Sequence, residues 1–329
     1  MAARPVAQGS TLSSAASTAL LLFGFGLLGY VILRWWHETV IAPAGLKALI
    51  VVGLILGAWG IARMAGRMEE TKTRGLTGFL PAGLTLLLGV TAAEALLRAY
   101  QVPAGLIPTP TRVLATLWST REVLLADART TFVLEALAGY LIGCSLGVLF
   151  ALLVARFRFL EQGVLPYASA FSSIPIVALA PVLVKAIGLE WPSKAAVVAI
   201  TVFFPVVVNT VRGLLEVNPL SLDLMRSYAA SEAQTFASVR VPNALPFVFN
   251  ALKLGSTLAM IGAIVGEFFG TTGSGLGFRI QIEAGRFGFD IVWAAIIVAS
   301  VAGIGFYNLV AFAERRFTGW HVSFREEEN

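Results

Sequence analysis

The sequence predicts an all-α, polytopic membrane protein with about eight transmembrane helices. Three observations carry that expectation. Residues of the AVILMFWYC set make up 57% of the 329, and Asp, Glu, Lys and Arg only 13%, about half the usual charged fraction of a soluble domain. Mean hydropathy is +0.81, so a soluble fold would hold more apolar surface than its polar residues could cover. The apolar residues also fall in continuous runs long enough for membrane helices, not in the alternation of barrel strands.

Eight runs qualify: 15–33, 41–62, 76–97, 130–155, 165–187, 195–212, 246–270 and 291–312. The first follows MAARPVAQGSTLSS, which has one Arg and no clear small-residue cleavage site, so it reads as an uncleaved span. Within it, Gly24-Phe25-Gly26-Leu27-Leu28-Gly29 fits a G-x-G-x-x-G string. No strand precedes it, so close helix packing is the reading and a dinucleotide site is not. Between the third and fourth runs, Thr109-Pro110 offers a helix start. Val113, Leu114, Leu117, Trp118, Leu124 and Leu125 then recur at helical spacing beside Arg112, Arg121 and Glu122. That pattern suits an amphipathic helix, either on the outer membrane surface or packed on the protein. Pro166, Pro175, Pro181 and Pro205 interrupt the fifth and sixth runs, which suits spans lining a pathway or spans kinked for packing.

Orientation follows from Lys and Arg. With the N-terminus inside, thirteen fall in inside segments and eight in outside segments, Lys194 among the latter. Both termini are therefore expected in the cytoplasm. The net charge of +5 reads as topology, with no nucleic-acid partner. Cys144 is the single cysteine and reads as a packing residue, and two histidines do not make a metal site. No P-loop string is present, so no ATP site is expected on this chain. Lys47, Glu94, Glu135, Lys185, Lys253 and Glu267 fall within spans. They divide between snorkelling, pairing and function. For Glu267 the alternatives are a substrate or outer-gate contact and a salt bridge to Lys185 or Arg279.

One stretch does not belong in a membrane: EVNPLSLDLMRSYAASEAQTFASVRVPNALP, between the sixth and seventh runs. Pro219 and Pro242 bracket it, and Leu224, Tyr228 and Phe236 could share an apolar face. A short capped helical hairpin ended by proline is expected, either as a plain connection or as a docking element for a cytoplasmic partner.

This stretch resembles the cytoplasmic coupling loop of ABC importer permeases, whose pattern is Glu-Ala-Ala, three residues, Gly, then Pro thirteen residues on. Counting back from Pro242 puts Asp223 at the Glu position and Ala229 at the Gly position, with Leu224-Met225 replacing the Ala pair. Ala230-Ser231 and Val239-Arg240-Val241-Pro242 continue the pattern. An Ala at the Gly position suits the hairpin unless positive φ is needed there. The stretches Ser173–Pro181, Phe203–Thr210, Gly266-Glu267-Phe268 and Gly275-Leu276-Gly277 are similar to segments of the nitrate, sulfonate, taurine and thiamine-precursor permeases. The resemblance runs from Ile107 to about Arg316 and leaves the first two spans outside it.

The resemblance implies a type I ABC importer permease core over 75–316, with its coupling loop at about 219–245. Residues 1–74 then form an N-terminal extension with two extra transmembrane helices, and 317–329 a cytoplasmic tail. The implied role is transport, not catalysis. ATP and Mg would be held by two separate ATPase subunits, and the other partners would be a second permease chain as a homodimer, an extracytoplasmic substrate-binding protein and the lipid bilayer. The implied coupling residues are Asp223, Arg226, Ser227, Tyr228, Ala229, Ala230, Ser231, Glu232, Phe236 and Pro242. Pro175, Pro181, Glu267 and Phe268 are pathway or gate candidates. The implied location is the bacterial inner membrane. The nearest resemblance is to permeases of pyrimidine-type thiamine precursors and riboflavin, with nitrate, sulfonate and taurine as the second reading. An ion-coupled secondary transporter is the alternative of another class, but it would call for inverted repeats and a central buried carboxylate.

Overall fold

Backbone polar groups in hydrocarbon must bond within their own segment, so apolar runs of this length form helices. The computed structural model describes residues 9–38, 40–70 and 79–319, and no strand occurs among them. The expected boundary between 74 and 75 and the chain beyond 319 lie outside the described residues. Seven described helices are long and apolar enough to cross a membrane, and the all-α polytopic class holds.

The chain divides into two compact units. The first contains α1 (Gly9–Arg34), α2 (Ala44–Glu70), α3 (Leu80–Ala99) and α4 (Pro110–Ser119), together with Phe287–Asp290. Here α1 and α2 meet backbone to backbone. A Cβ at Gly24 would lie 2.6 Å from the Gly57 nitrogen, whereas Gly26 and Gly29 have open space around them. Close packing therefore rests on the first glycine of the 24–29 string and its partners on α2. Leu28, Val31, Ile50, Leu88 and Ala95 form the buried core between these helices. The Ala42 amide donates to the Ala99 carbonyl at 2.8 Å. Arg98 lies 3.8 Å over the Trp36 ring and donates to Glu94 at 2.6 Å and Thr111 at 2.9 Å. Glu94 is thus a structural pair, and Lys47 lies 4.3 Å over the Tyr100 ring.

The second unit starts with one continuous helix. It runs through α5 (Arg121–Ala128), a π-helical segment (Arg129–Leu137) and α6 (Ala138–Arg156). The amphipathic pattern over 113–125 is therefore cut at Thr120: α4 is separate, and α5 is the entry of a span. Then follow α7 (Arg158–Phe171), α8 (Ile176–Ile187), α9 (Trp191–Leu215), α10 (Pro219–Ser227), α11 (Glu232–Thr235), α12 (Val241–Phe268), α13 (Leu276–Gly285) and α14 (Phe289–Thr318), all but the start of α14 in this unit.

Helices α6 and α9 pack through Gly139, Gly143 and Gly147, one helical turn apart. A Cβ at Gly143 would lie 2.5 Å from the Ala199 carbonyl oxygen, so only glycine allows this approach. Tyr140, Cys144, Val198, Val202, Met260 and Phe306 form the core around that seam. The Phe306 ring meets Tyr140 edge-on at 4.8 Å. Lys253 on α12 pairs with Glu314 on α14 at 2.7 Å.

Two expectations about proline need correction. The run 165–187 is not one helix: it breaks over Ser172–Pro175, where Pro175 is extended at φ −61°, ψ 123°. Proline drives its predecessor out of the helical region, and Ser172 Oγ donates to the Ala168 carbonyl at 2.9 Å as α7 ends. Pro166, Pro181 and Pro205, by contrast, sit inside continuing helices. Nor does Pro242 stop a hairpin. The helix from Glu232 continues to Phe268 through a π-helical segment, Phe236–Arg240, immediately before the proline. A wider turn re-registers the bonding where proline removes a donor.

Candidate functional site

The polar stretch folds into a tightly capped hairpin. Asn218 caps α10 by accepting from the Leu220 amide at 2.9 Å, with Pro219 in the first turn. At the other end the Ala230 amide donates to the Met225 carbonyl (3.0 Å) and the Ala229 amide to Arg226 (2.9 Å). Those two bonds are a Schellman ending, whose pivotal residue is left-handed and usually glycine. Ala229 occupies that place with φ 49°. Ser231 then opens α11 with a capping box: its Oγ accepts from the Gln234 amide at 3.3 Å, and its own amide donates to Gln234 Oε1 at 2.8 Å.

A non-glycine residue in the left-handed region costs about 1–2 kcal/mol. Ala229→Gly is therefore expected to stabilise the turn by about 1 kcal/mol after the greater freedom of glycine in the unfolded chain is counted. Hydrogen exchange of the amides at 228–230 should slow by about fivefold.

On α10 and its C-cap the side chains of Leu220, Leu224 and Tyr228 recur every fourth residue on one face. They are 76%, 55% and 76% exposed. Asp223 accepts from Arg226 at 3.0 Å beside this stripe. Ser227, Ala229, Ser231 and Glu232 are exposed, whereas Ala230, Phe236 and Pro242 are partly buried. Phe236 thus stands apart from the exposed stripe and Leu220 joins it. The hairpin is tied back to α9: Asn243 Nδ2 donates to the carbonyls of Gly213 (2.8 Å) and Glu216 (3.2 Å). Those carbonyls belong to the α9 terminus, where no intrahelical partner remains.

A second cluster surrounds Glu267, which is 1% exposed. Its Oε1 accepts from Thr131 Oγ1 at 2.6 Å, and its Oε2 from the amides of Gly277 and Phe278. Asp127 accepts from the Gly275 amide at 3.0 Å, and Thr131 Oγ1 from the Leu276 amide at 2.8 Å. The amides at the start of α13 are thus capped by side chains from two other helices, a favourable placement for carboxylates. Gly275 has φ +118°, and a Cβ there would collide with the Glu267 carboxylate. Arg279 pairs with Asp127 at 2.8 Å, and Lys185 is exposed; neither forms the salt bridge to Glu267 that the sequence suggested. Phe268 ends α12 at 37% exposure.

Lys194, counted among outside charges from the sequence, is buried in the first turn of α9. Its Nζ donates to the carbonyls of Leu189 and Glu190. Glu135 is also buried, facing Glu267, and its Oε2 has no hydrogen-bond partner among the described residues. Asp127 and Thr131 escaped sequence reasoning because their partners lie on other helices, and Lys194 because its burial depends on helices packed around the start of α9. The Ser-x-x-Gln box at 231–234 and the four-residue spacing of Leu220, Leu224 and Tyr228 were available in the sequence.

Residues 143–319 match the family described as binding-protein-dependent transport system inner membrane component. The chain belongs to this family of ABC importer permeases. The permease is 31% identical over 245 residues to the riboflavin transport system permease protein RibX of Chloroflexus aurantiacus, covering 74% of this chain and 90% of that protein. It is also 31% identical to the formylaminopyrimidine transport permease protein ThiX of Halalkalibacterium halodurans, covering 65% of this chain and 86% of the relative. With the taurine transport system permease protein TauC of Escherichia coli it shares 29% identity, over 63% and 72% of the two chains. The permease is a multi-pass membrane transport subunit, and in its family the ATPase is a separate subunit.

Proposed function

We propose that this permease forms the pathway of an importer for small planar N-heterocycles and couples to a separate ATPase through the hairpin Pro219–Arg240. The observation that carries the coupling role is the exposed stripe Leu220, Leu224 and Tyr228 on a rigidly capped helix. Outside a membrane, three large apolar side chains aligned on one polar-flanked helix suit an apolar cleft on a partner. Asp223, Arg226 and Glu232 would form the polar rim. ATP and Mg would be bound by two ATPase subunits, cargo would arrive on an extracytoplasmic binding protein, and a second copy of this chain would complete the pathway. Taking α7 and α8 as one broken crossing gives eight passages of the inner membrane with both termini cytoplasmic. Pro175 and Pro181 would then belong to a pathway-lining crossing, and Glu267 and Phe268 to its outer gate.

The cargo reading draws on the similarity to the riboflavin and formylaminopyrimidine permeases. Similarity to the taurine permease supports the second reading, a sulfonate-type anion. Thermal unfolding of the cognate binding protein separates them. Riboflavin or formylaminopyrimidine at about 100 times its Kd should stabilise that protein by about 2.7 kcal/mol, with no shift from taurine, alkylsulfonate or nitrate. Stabilisation by the anions alone would reverse the assignment.

A further inference from the structure

The break between α7 and α8 opens onto an aromatic feature that the coupling hairpin and the α13 clamp leave unused. Phe171 is the last residue of α7, and its ring lies parallel to that of Phe204 on α9, with centroids 5.1 Å apart and planes 10° apart. Phe203 meets Phe204 edge-on at 5.1 Å. These three rings wall two adjoining cavities. One, of about 450 Å³, includes Ser172, Leu179 and Thr201 in its lining. The other, of about 390 Å³, extends along α9 to Val207 and includes Tyr167. Each lies in the size range of small-molecule sites, which combine apolar walls with a few placed polar groups.

The polar groups of the larger cavity are specific in sign. Ser172 Oγ donates to the Ala168 carbonyl at 2.9 Å and Thr201 Oγ1 to the Val197 carbonyl at 2.7 Å. Each hydroxyl has one proton, so both face a ligand as acceptors. The amides of Ser172 and Ile174 are engaged within the chain, and Pro175 has none. No charged side chain lines either cavity among the described residues. A sulfonate or nitrate needs cations or N–H donors and finds neither here. A flat, uncharged ring carrying N–H groups matches both the aromatic wall and the acceptors.

We propose that the cavity at the α7–α8 break is a binding site for a neutral, planar, N–H-bearing ring, stacked on the Phe171–Phe204 wall with Thr201 and Ser172 accepting from it. This deepens the N-heterocycle reading and rests on it for the identity of the cargo. The ring would lie where two helices end and resume, and broken helices commonly border transport sites. Because Phe171 rides on the end of α7 and Phe204 on α9, separation of those helices would open the wall between the two cavities.

The experiment uses the full-length permease in lipid nanodiscs and the flat fluorophore lumiflavin, followed by fluorescence anisotropy against empty nanodiscs. Wild type should bind it, with no competition from taurine. Phe204→Leu should weaken binding about tenfold. An N3-methylated lumiflavin should bind wild type about fivefold more weakly, and Thr201→Val combined with Ser172→Ala should bring both probes to the same affinity. The second comparison reads the hydroxyls directly and stands even if the leucine variant does not fold. No binding above empty discs, equal competition by taurine, or an N-methyl penalty that survives removal of both hydroxyls would overturn the site. Neither ATPase nor binding protein enters this measurement. A sulfonate found as the cargo would therefore end the cargo reading without deciding the cavity, and failed ring binding would end the site without deciding the cargo.

Discussion

Tyr228→Asp is expected to reduce uptake to background while the permease still reaches the membrane in normal amount. Tyr228 is 76% exposed at the end of the stripe begun by Leu220 and Leu224. It also caps α10, where its amide bonds to the Leu224 carbonyl at 3.1 Å. Those bonds are backbone, so the turn survives the substitution and only the surface changes. Tyrosines that anchor interfaces commonly contribute 2 kcal/mol or more. A carboxylate pressed into the same apolar cleft adds its desolvation cost. The combined loss is expected to exceed about thirtyfold in affinity for the ATPase. Deletion of 223–236 should act in the same direction. Arg226→Ala serves as the contrast, because the exposed pair with Asp223 at 3.0 Å is worth at most about 1 kcal/mol. ATP hydrolysis by the assembled transporter, with and without the loaded binding protein, separates coupling from assembly. Normal uptake by the aspartate variant would remove the hairpin from the coupling role.

Glu267→Ala should cost more than any conservative change in the same unit. The carboxylate accepts from Thr131 Oγ1 at 2.6 Å and from the amides of Gly277 and Phe278, all within a site 1% exposed. Removing it strands those donors, at about 1–3 kcal/mol for each buried group left without an acceptor. The expected loss is therefore at least about 3 kcal/mol, with α13 released from α12 first. Limited proteolysis between 269 and 286 should appear in Glu267→Ala and be much weaker in Glu267→Gln, whose amide oxygen can still accept. If alanine and glutamine behave alike and both retain the wild-type thermal midpoint, the clamp is not what holds α13.

Much of this architecture was legible because hydropathy and helical period are local. Runs of about 20 apolar residues announce crossing helices, and the polar interruption between the sixth and seventh runs announces what lies outside them. The four-residue spacing of Gly139, Gly143 and Gly147 was a local signal of the same kind that went unread, with a small residue on each turn of the face that α6 turns to α9. Proline was less readable. Four prolines looked alike in the fifth and sixth runs, but only Pro175 breaks a helix. A missing donor is tolerated when the surrounding helices hold the segment, and that depends on neighbours distant in the chain. Ala229 shows the same limit, since alanine gives no local signal for φ 49°. The Schellman bonds on either side impose it.

The order of residues alone determined an all-helical membrane protein, the place of its polar hairpin and the family it belongs to. The first two rest on composition and period, and the family on the resemblance of short motifs to those of known permeases. The tertiary structure decided which charges are spent inside the protein. It sets Glu267 against Thr131 and the start of α13, buries Lys194 against the carbonyls of Leu189 and Glu190, and places Phe171 flat on Phe204. Thr131 and Glu267 are 136 residues apart, and no local pattern reports such a pair. Helix packing brings them together, and the cost of an unbonded polar group in a dry interior keeps them paired.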